Sequence, residues 1–251
     1  SLIFPTLLLA YYNTFFFLIM LSLLSGSFFS IYLFGVQAFV LKSFCPKCIS
    51  LTLVTLLATV FTFIFLGNEV IGLLVEHKKV VLILHVLGVM LGLGGATITD
   101  LFFMRAISDH SIKRSELSMM KFFSSIIWVG FLVLVVTGIG LYLPRAADLN
   151  HTPKFLVKVI GVLVILLNGL VLNFFITPKL AKLHLNEVLH EKRKDIILRS
   201  IVFASGAISL VSWYTVFLLG SLRKVEASFS TIFILYVSLL IIAIVGSQIF
   251  A

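Results

Sequence analysis

Seven long apolar runs constrain this chain more than any other feature, at approximately 13–41, 47–66, 80–104, 122–143, 155–177, 200–221 and 229–250. A helix crosses the hydrocarbon core of a bilayer with about 20 mostly apolar residues. No water is present there to satisfy backbone N–H and C=O groups, so each run is expected to be a helix. The expected fold is all-α: a polytopic transmembrane helical bundle of about seven full spans and a partial N-terminal one. Residues 1–10, SLIFPTLLLA, are too short to cross, and they read as the back half of a helix in an N-terminally trimmed chain.

Composition agrees with a lipid environment. The 251 residues are 61% hydrophobic and 12% charged, against about 45–50% and about 25% in soluble domains. That excess does not fit inside one globular core, so the spare apolar surface must face lipid. The net charge of +9 sits between the apolar runs, where Lys and Arg meet lipid headgroups. Membrane lipid, and no nucleic acid, is the partner this implies. Residues 1–30 lack the basic start and small-residue cleavage site of a signal peptide.

The chain divides into a first block, 1–66, an amphipathic connector, 67–79 (GNEVIGLLVEHKK), and a five-helix membrane domain, 80–251. In that domain Gly88, Gly92 and Ala96 recur every four residues, with Gly94 and Gly95 beside them. Such spacing lets helix backbones approach closely.

Chemistry concentrates in Phe44-Cys45-Pro46-Lys47-Cys48, at the mouth of the second run. A thiol at a helix N-terminus meets unpaired N–H groups and the positive end of the helix dipole, which favour its thiolate. Lys42 and Lys47 add positive charge, and Pro46 suits a first helical turn. Two cysteines three apart can close a short disulfide and so carry two electrons. Two idle thiols, or half of a metal site, are the other readings of the residues alone.

The stretch SGSFFSIYLFGVQAFVLKSFCPKCISLTLVTLLATVF resembles the last two spans of the vitamin K epoxide reductase family, with Tyr32-Leu33 in the long helix and the Cys-x-x-Cys after it. Residues 1–10 are then similar to the tail of the family's preceding helix. The resemblance implies electron transfer between protein thiols and a membrane quinone, supporting disulfide bond formation. It implies disulfide exchange at Cys45 with an upstream thiol, and a quinone facing Cys48. Thr52 stands where the family often has a Tyr, which makes it a candidate quinone contact. The family's loop cysteine pair and first helix would precede Ser1. The implied electron donor is therefore a thiol–disulfide exchange protein or a missing N-terminal segment. The expected location is a prokaryotic cell (inner) membrane.

The second block carries polar residues inside its spans: His85, Asp100, Lys158, Asn168 and Asn173. Intramembrane ionisable groups are costly and are functional candidates by default, although Lys can snorkel and Asn can join helices. The segments HVLGVMLGLGGATITDLFF, VVTGIGLYLP and KFLVKVIGVLVILLNG resemble the copper-resistance-D-type membrane superfamily, whose outline the haem-binding membrane protoporphyrinogen oxidases share. That resemblance implies a haem or metal role for His85 and Lys158. Read independently, the residues give no compact set of metal ligands. A haem- or copper-handling protein, or a structural subunit among other membrane subunits, is the alternative to the oxidoreductase.

Charge sets an expected orientation. Segments 105–121 and 178–199 carry ten Lys and Arg; the opposite segments carry six. The positive-inside rule puts the richer side, and with it the Cys pair, in the cytoplasm. The vitamin K epoxide reductase family works on the oxidising face, and this orientation is preferred.

Overall fold

The computed structural model describes residues 3–37, 45–108, 114–176, 192–223 and 225–249. Among these the regular structure is helical throughout, with no strand. The long helices are α1 (Ile3–Gly35), α2 (Pro46–Glu76), α3 (Lys78–Ser108) and α4 (Arg114–Tyr142). After a single 3-10 turn come the short α5 (Ala146–Leu149), then α6 (Pro153–Val171), α7 (Lys192–Ser221) and α8 (Phe229–Ser247). Six stretches are long and apolar enough to cross a membrane: Thr14–Phe34, Lys78–Phe102, Phe122–Leu149, Pro153–Ile176, Ser200–Ser221 and Phe229–Ser247. A seventh is α2, if its two bent limbs count as one span. The chain is an all-α polytopic membrane protein. Side chains such as Ile64, Leu167 and Ile242, 71%, 62% and 68% exposed, make sense only against lipid.

Two expectations change. Residues 3–10 are not a partial span of their own, because α1 runs unbroken from Ile3 to Gly35. The Tyr11-Tyr12-Asn13 stretch lowers the local hydropathy, but none of these residues breaks a helix. The 67–79 stretch is not a separate connector either. It forms the second limb of α2, Gly67–Glu76, set at 83° to the first limb, Pro46–Thr62. Gly67 stands at the bend, where a residue without a side chain eases a kink. The second limb is helical because Val70 and Leu73, 2% and 6% exposed, share its buried face. At its end His77 leaves the helix, stacks on Phe17 with ring centroids 4.7 Å apart, and α3 begins one residue later.

The folded chain forms two compact units that cut across the sequence blocks. The first comprises residues 1–88 and 130–146; the second comprises 89–129 and 147–251. In the first, α1 and the first limb of α2 run antiparallel. The pairings Ser27–Thr59 and Ser30–Thr55 fix that register. At Gly88 α3 meets α4 backbone to backbone: a Cβ there would lie 2.8 Å from Leu134 N and 3.0 Å from Gly130 O. A small apolar cavity of about 20 Å³, among Phe17, Met20, Val70, Leu73 and Val136, has room for one water at most.

In the second unit α7 runs antiparallel to both α6 and α8, and the three pack around Val157, Leu219, Ile232 and Tyr236. Gly92 leaves space for the ring of Trp213, itself 2% exposed, and Ala96 is 3% exposed. The small residues spaced by four are therefore packing positions. Buried polar groups join helices here. Ser212 Oγ and Tyr236 OH are 2.8 Å apart, and Asn168 Nδ2 donates to Ser205 O at 2.9 Å.

Candidate thiol site

Cys45 is the last extended residue before α2, with φ −88° and ψ 114°, and its carbonyl accepts the first helical bond, from Ile49 N at 3.1 Å. Pro46 fills the first turn, where its missing N–H costs no hydrogen bond. The open N–H groups of this turn point towards the Cys45 sulfur. The Cys48 N–H lowers the Cys45 thiol below its ordinary value most strongly, with the Cys48 thiol next, although no strict capping bond closes. Cys45 is exposed and Cys48 half-buried, three residues apart across the first turn of α2. A pair so placed has the spacing that a short disulfide needs, with the outer sulfur open to a partner.

Gln37, in the last described turn of the first helix, completes the site. Its Oε1 accepts from Cys45 N at 3.1 Å. It is 8% exposed. Sequence reasoning missed it. The available signal was a lone amide in an otherwise apolar run, eight residues before Cys45. Lys42 and Phe44 lie outside the described residues, as do segments 109–113 and 177–191, which hold Lys113, Lys179 and Lys182.

Thr52 lies one turn beyond Cys48. Its hydroxyl donates to Cys48 O at 2.9 Å and approaches Ser30 O at 3.5 Å. Its one proton is thus committed, and its lone pairs are what it offers a ligand. Around the pair, Tyr32, Leu33, Phe34, Ile49 and Leu51 present exposed apolar surface.

Of the other sequence candidates, His85 lies in the first unit, and Asp100 and Lys158 lie in the second. His85 Nδ1 is 3.0 Å from Thr137 Oγ1, and the Thr137 hydroxyl gives its proton to Val133 O. This contact ties the ring on α3 to α4. Lys158 belongs to the second unit, with Nζ against Gly220. One turn before it, Lys154 Nζ donates to Leu222 O and Arg223 O, at 2.8 and 2.9 Å, and neutralises the carbonyl end of α7. Asp100 approaches Gly206, and its Oδ2 is buried without a partner among the described residues. Among those residues no three His, Cys, Asp or Glu side chains gather as a metal ion requires. Comparison with protein-family models, curated proteins and solved structures finds no match.

Proposed function

We propose that the chain is a membrane thiol–disulfide:quinone oxidoreductase that supports disulfide bond formation. The observation that carries this reading is the Cys45–Cys48 pair, one thiol exposed and one half-buried, at the open N-terminus of a helix whose flanks are apolar. Cys45 exchanges with a protein dithiol, because it is the exposed thiol and the one held towards its thiolate. That dithiol belongs to a separate exchange protein or to preceding chain. It attacks the Cys45–Cys48 disulfide at Cys45, a mixed disulfide forms and resolves, and the pair is left as two thiols. Two electrons and two protons then pass from the pair to a quinone, the pair closes again, and hydroquinone leaves. The exposed apolar side chains beside Cys48 suit a lipid-borne quinone, and the Thr52 hydroxyl suits a polar contact to it. The resemblance to the vitamin K epoxide reductase family points the same way.

Differential alkylation of the pair in native membranes, before and after adding quinone, tests the reading. Reduced thiols that become oxidised on adding quinone, and a quinone reduction lost in Cys48→Ala, are the expected results. Thiols that stay reduced, or activity unchanged in Cys48→Ala, would overturn it.

A second reading rests on His85. Its ring lies inside a span with Nδ1 3.0 Å from Thr137 Oγ1, the kind of outer contact that orients a ligating histidine. A purified sample with a Soret band that is lost in His85→Ala would favour a haem-handling protein. A sample without that band would refute it.

A further inference from the structure

Positive side chains gather at one end of the second unit, where α6 begins and α7 ends. Lys154 Nζ gives two of its three protons to the α7 end, at Leu222 O and Arg223 O, 2.8 and 2.9 Å away. Lys158 stands one turn further along α6, about 6 Å deeper into the span Pro153–Ile176. Its stem lies against the last turn of α7, since a Cβ at Gly220 would be 3.4 Å from Nζ and 3.9 Å from Cε. Gly220 leaves the room that the lysine uses. Arg223, exposed just past the end of α7, adds a third cation.

Nothing among the described residues balances this charge. No acceptor there holds the Lys158 ammonium, and no carboxylate pairs with any of the three. Asp148 and Glu226, the acidic residues nearest in sequence, are both exposed and make no ion pair with them. An unpaired ammonium inside a span is costly, and snorkelling relieves it only by bringing the charge to the headgroup level. Here that path leads Lys158 to the end of α7 that Lys154 already occupies, so two like charges share one corner. An anion at the membrane surface would satisfy both. Exposed Leu156 and Val159 on α6, and Leu218 and Leu222 at the end of α7, border the corner with apolar surface. The corner therefore offers cations to a head and hydrocarbon to a tail, which suits an anionic lipid better than a free phosphate. We propose that Lys158, with Lys154 and Arg223 at the same corner, binds the phosphate of an anionic phospholipid. The proposal is independent of the thiol chemistry, because neither cysteine belongs to the second unit.

The test is thermal unfolding of the full chain in neutral detergent, titrated with phosphatidylglycerol or with phosphatidylcholine of the same acyl chains. Phosphatidylglycerol is expected to raise the melting temperature saturably and by more than phosphatidylcholine does, and inorganic phosphate to leave it unchanged. Lys158→Met keeps the bulk of the stem and removes the charge. It is expected to raise the half-saturating mole fraction of phosphatidylglycerol about tenfold, the size of one charged hydrogen bond lost. Lys79→Met, which removes an exposed charge from the first unit, is expected to leave that fraction within twofold. Each shift is read against the same variant without added lipid, so a change in intrinsic stability cancels. Equal shifts with the two lipids would overturn the proposal. So would a Lys158→Met midpoint within twofold of the unsubstituted chain, or an equal loss in Lys79→Met, since either leaves only a diffuse attraction of basic residues to the surface. A shift reproduced by inorganic phosphate would overturn the assignment to a lipid.

Discussion

Two glycines on one helix give the most demanding test of the packing. At Gly88 an added methyl would sit 2.8 Å from Leu134 N, 3.0 Å from Gly130 O and 3.1 Å from Leu134 Cα. All three are backbone atoms of α4, so no side-chain rotation relieves them, and the helices must part by several tenths of an ångström. At Gly94, six residues along α3, nothing lies within 4 Å of the same methyl. Gly→Ala in a helix gains about 1 kcal/mol of propensity, and this gain is common to both variants and cancels. What remains is the overpacking cost at Gly88, about 1–3 kcal/mol. For a chain of this size about 2 kcal/mol corresponds to about 4–8 °C in melting temperature. Thermal unfolding of Gly88→Ala and Gly94→Ala in the same detergent is therefore expected to separate them by that interval, with Gly88→Ala the lower. Equal melting temperatures, or a higher one for Gly88→Ala, would show that α3 and α4 do not touch at this point.

Two further expectations concern the site. The alkylation rate of Cys45 is expected to rise through a midpoint below that of an ordinary thiol. In Cys48→Ala most of that shift should persist, because its largest cause is the backbone N–H of residue 48, which the substitution keeps. A Cys45 that titrates at or above the ordinary thiol value in Cys48→Ala would refute the helix-terminus account. Separately, a double-mutant cycle over Ser27→Ala and Thr59→Val, whose hydroxyls are 2.7 Å apart, should give a coupling of about 0.6 kcal/mol in unfolding, the average for such bonds between membrane helices. Strict additivity would mean that the two helices do not pair in this register.

What was legible in the sequence is what local physics dictates. Apolar runs of sufficient length became helices, and Gly88, Gly92 and Ala96 became packing positions because four-residue spacing puts them on one face. Cys45 fell at a helix start because Pro46 is favoured in a first turn. What depended on tertiary register was not legible. Gln37 acquires a role only because the first two helices are antiparallel and in register, so that position 37 comes to meet the Cys45 N–H. Ser212 and Tyr236, 24 residues apart and both buried, pair for a similar reason. The continuity of α1 through Asn13 and the bend at Gly67 escaped because hydropathy marks where a helix meets lipid, and is silent on where the helix stops.

That register has a visible chemical origin, and it explains why the thiol site sits where it does. On the first helix the buried polar residues are Ser27, Ser30 and Gln37, at steps of three and seven; on the second, the half-buried Cys48, Thr52, Thr55 and Thr59 follow at steps of four, three and four. Both series keep to one helical face. The threonines give protons to carbonyls of their own helix, as in Thr52 to Cys48 O, Thr55 to Leu51 O and Thr59 to Thr55 O, so they stay satisfied without water. Their remaining capacity reaches across to the serines. A shift of either helix by one residue would turn its polar stripe by about 100°. It would set leucine and valine against Ser27 and Ser30 and take their cross-helix partners away in an apolar medium, where an unsatisfied group costs several kcal/mol. The seam thus disfavours every register but one, and in that register the amide at the end of the first helix meets the Cys45 N–H at the start of the second.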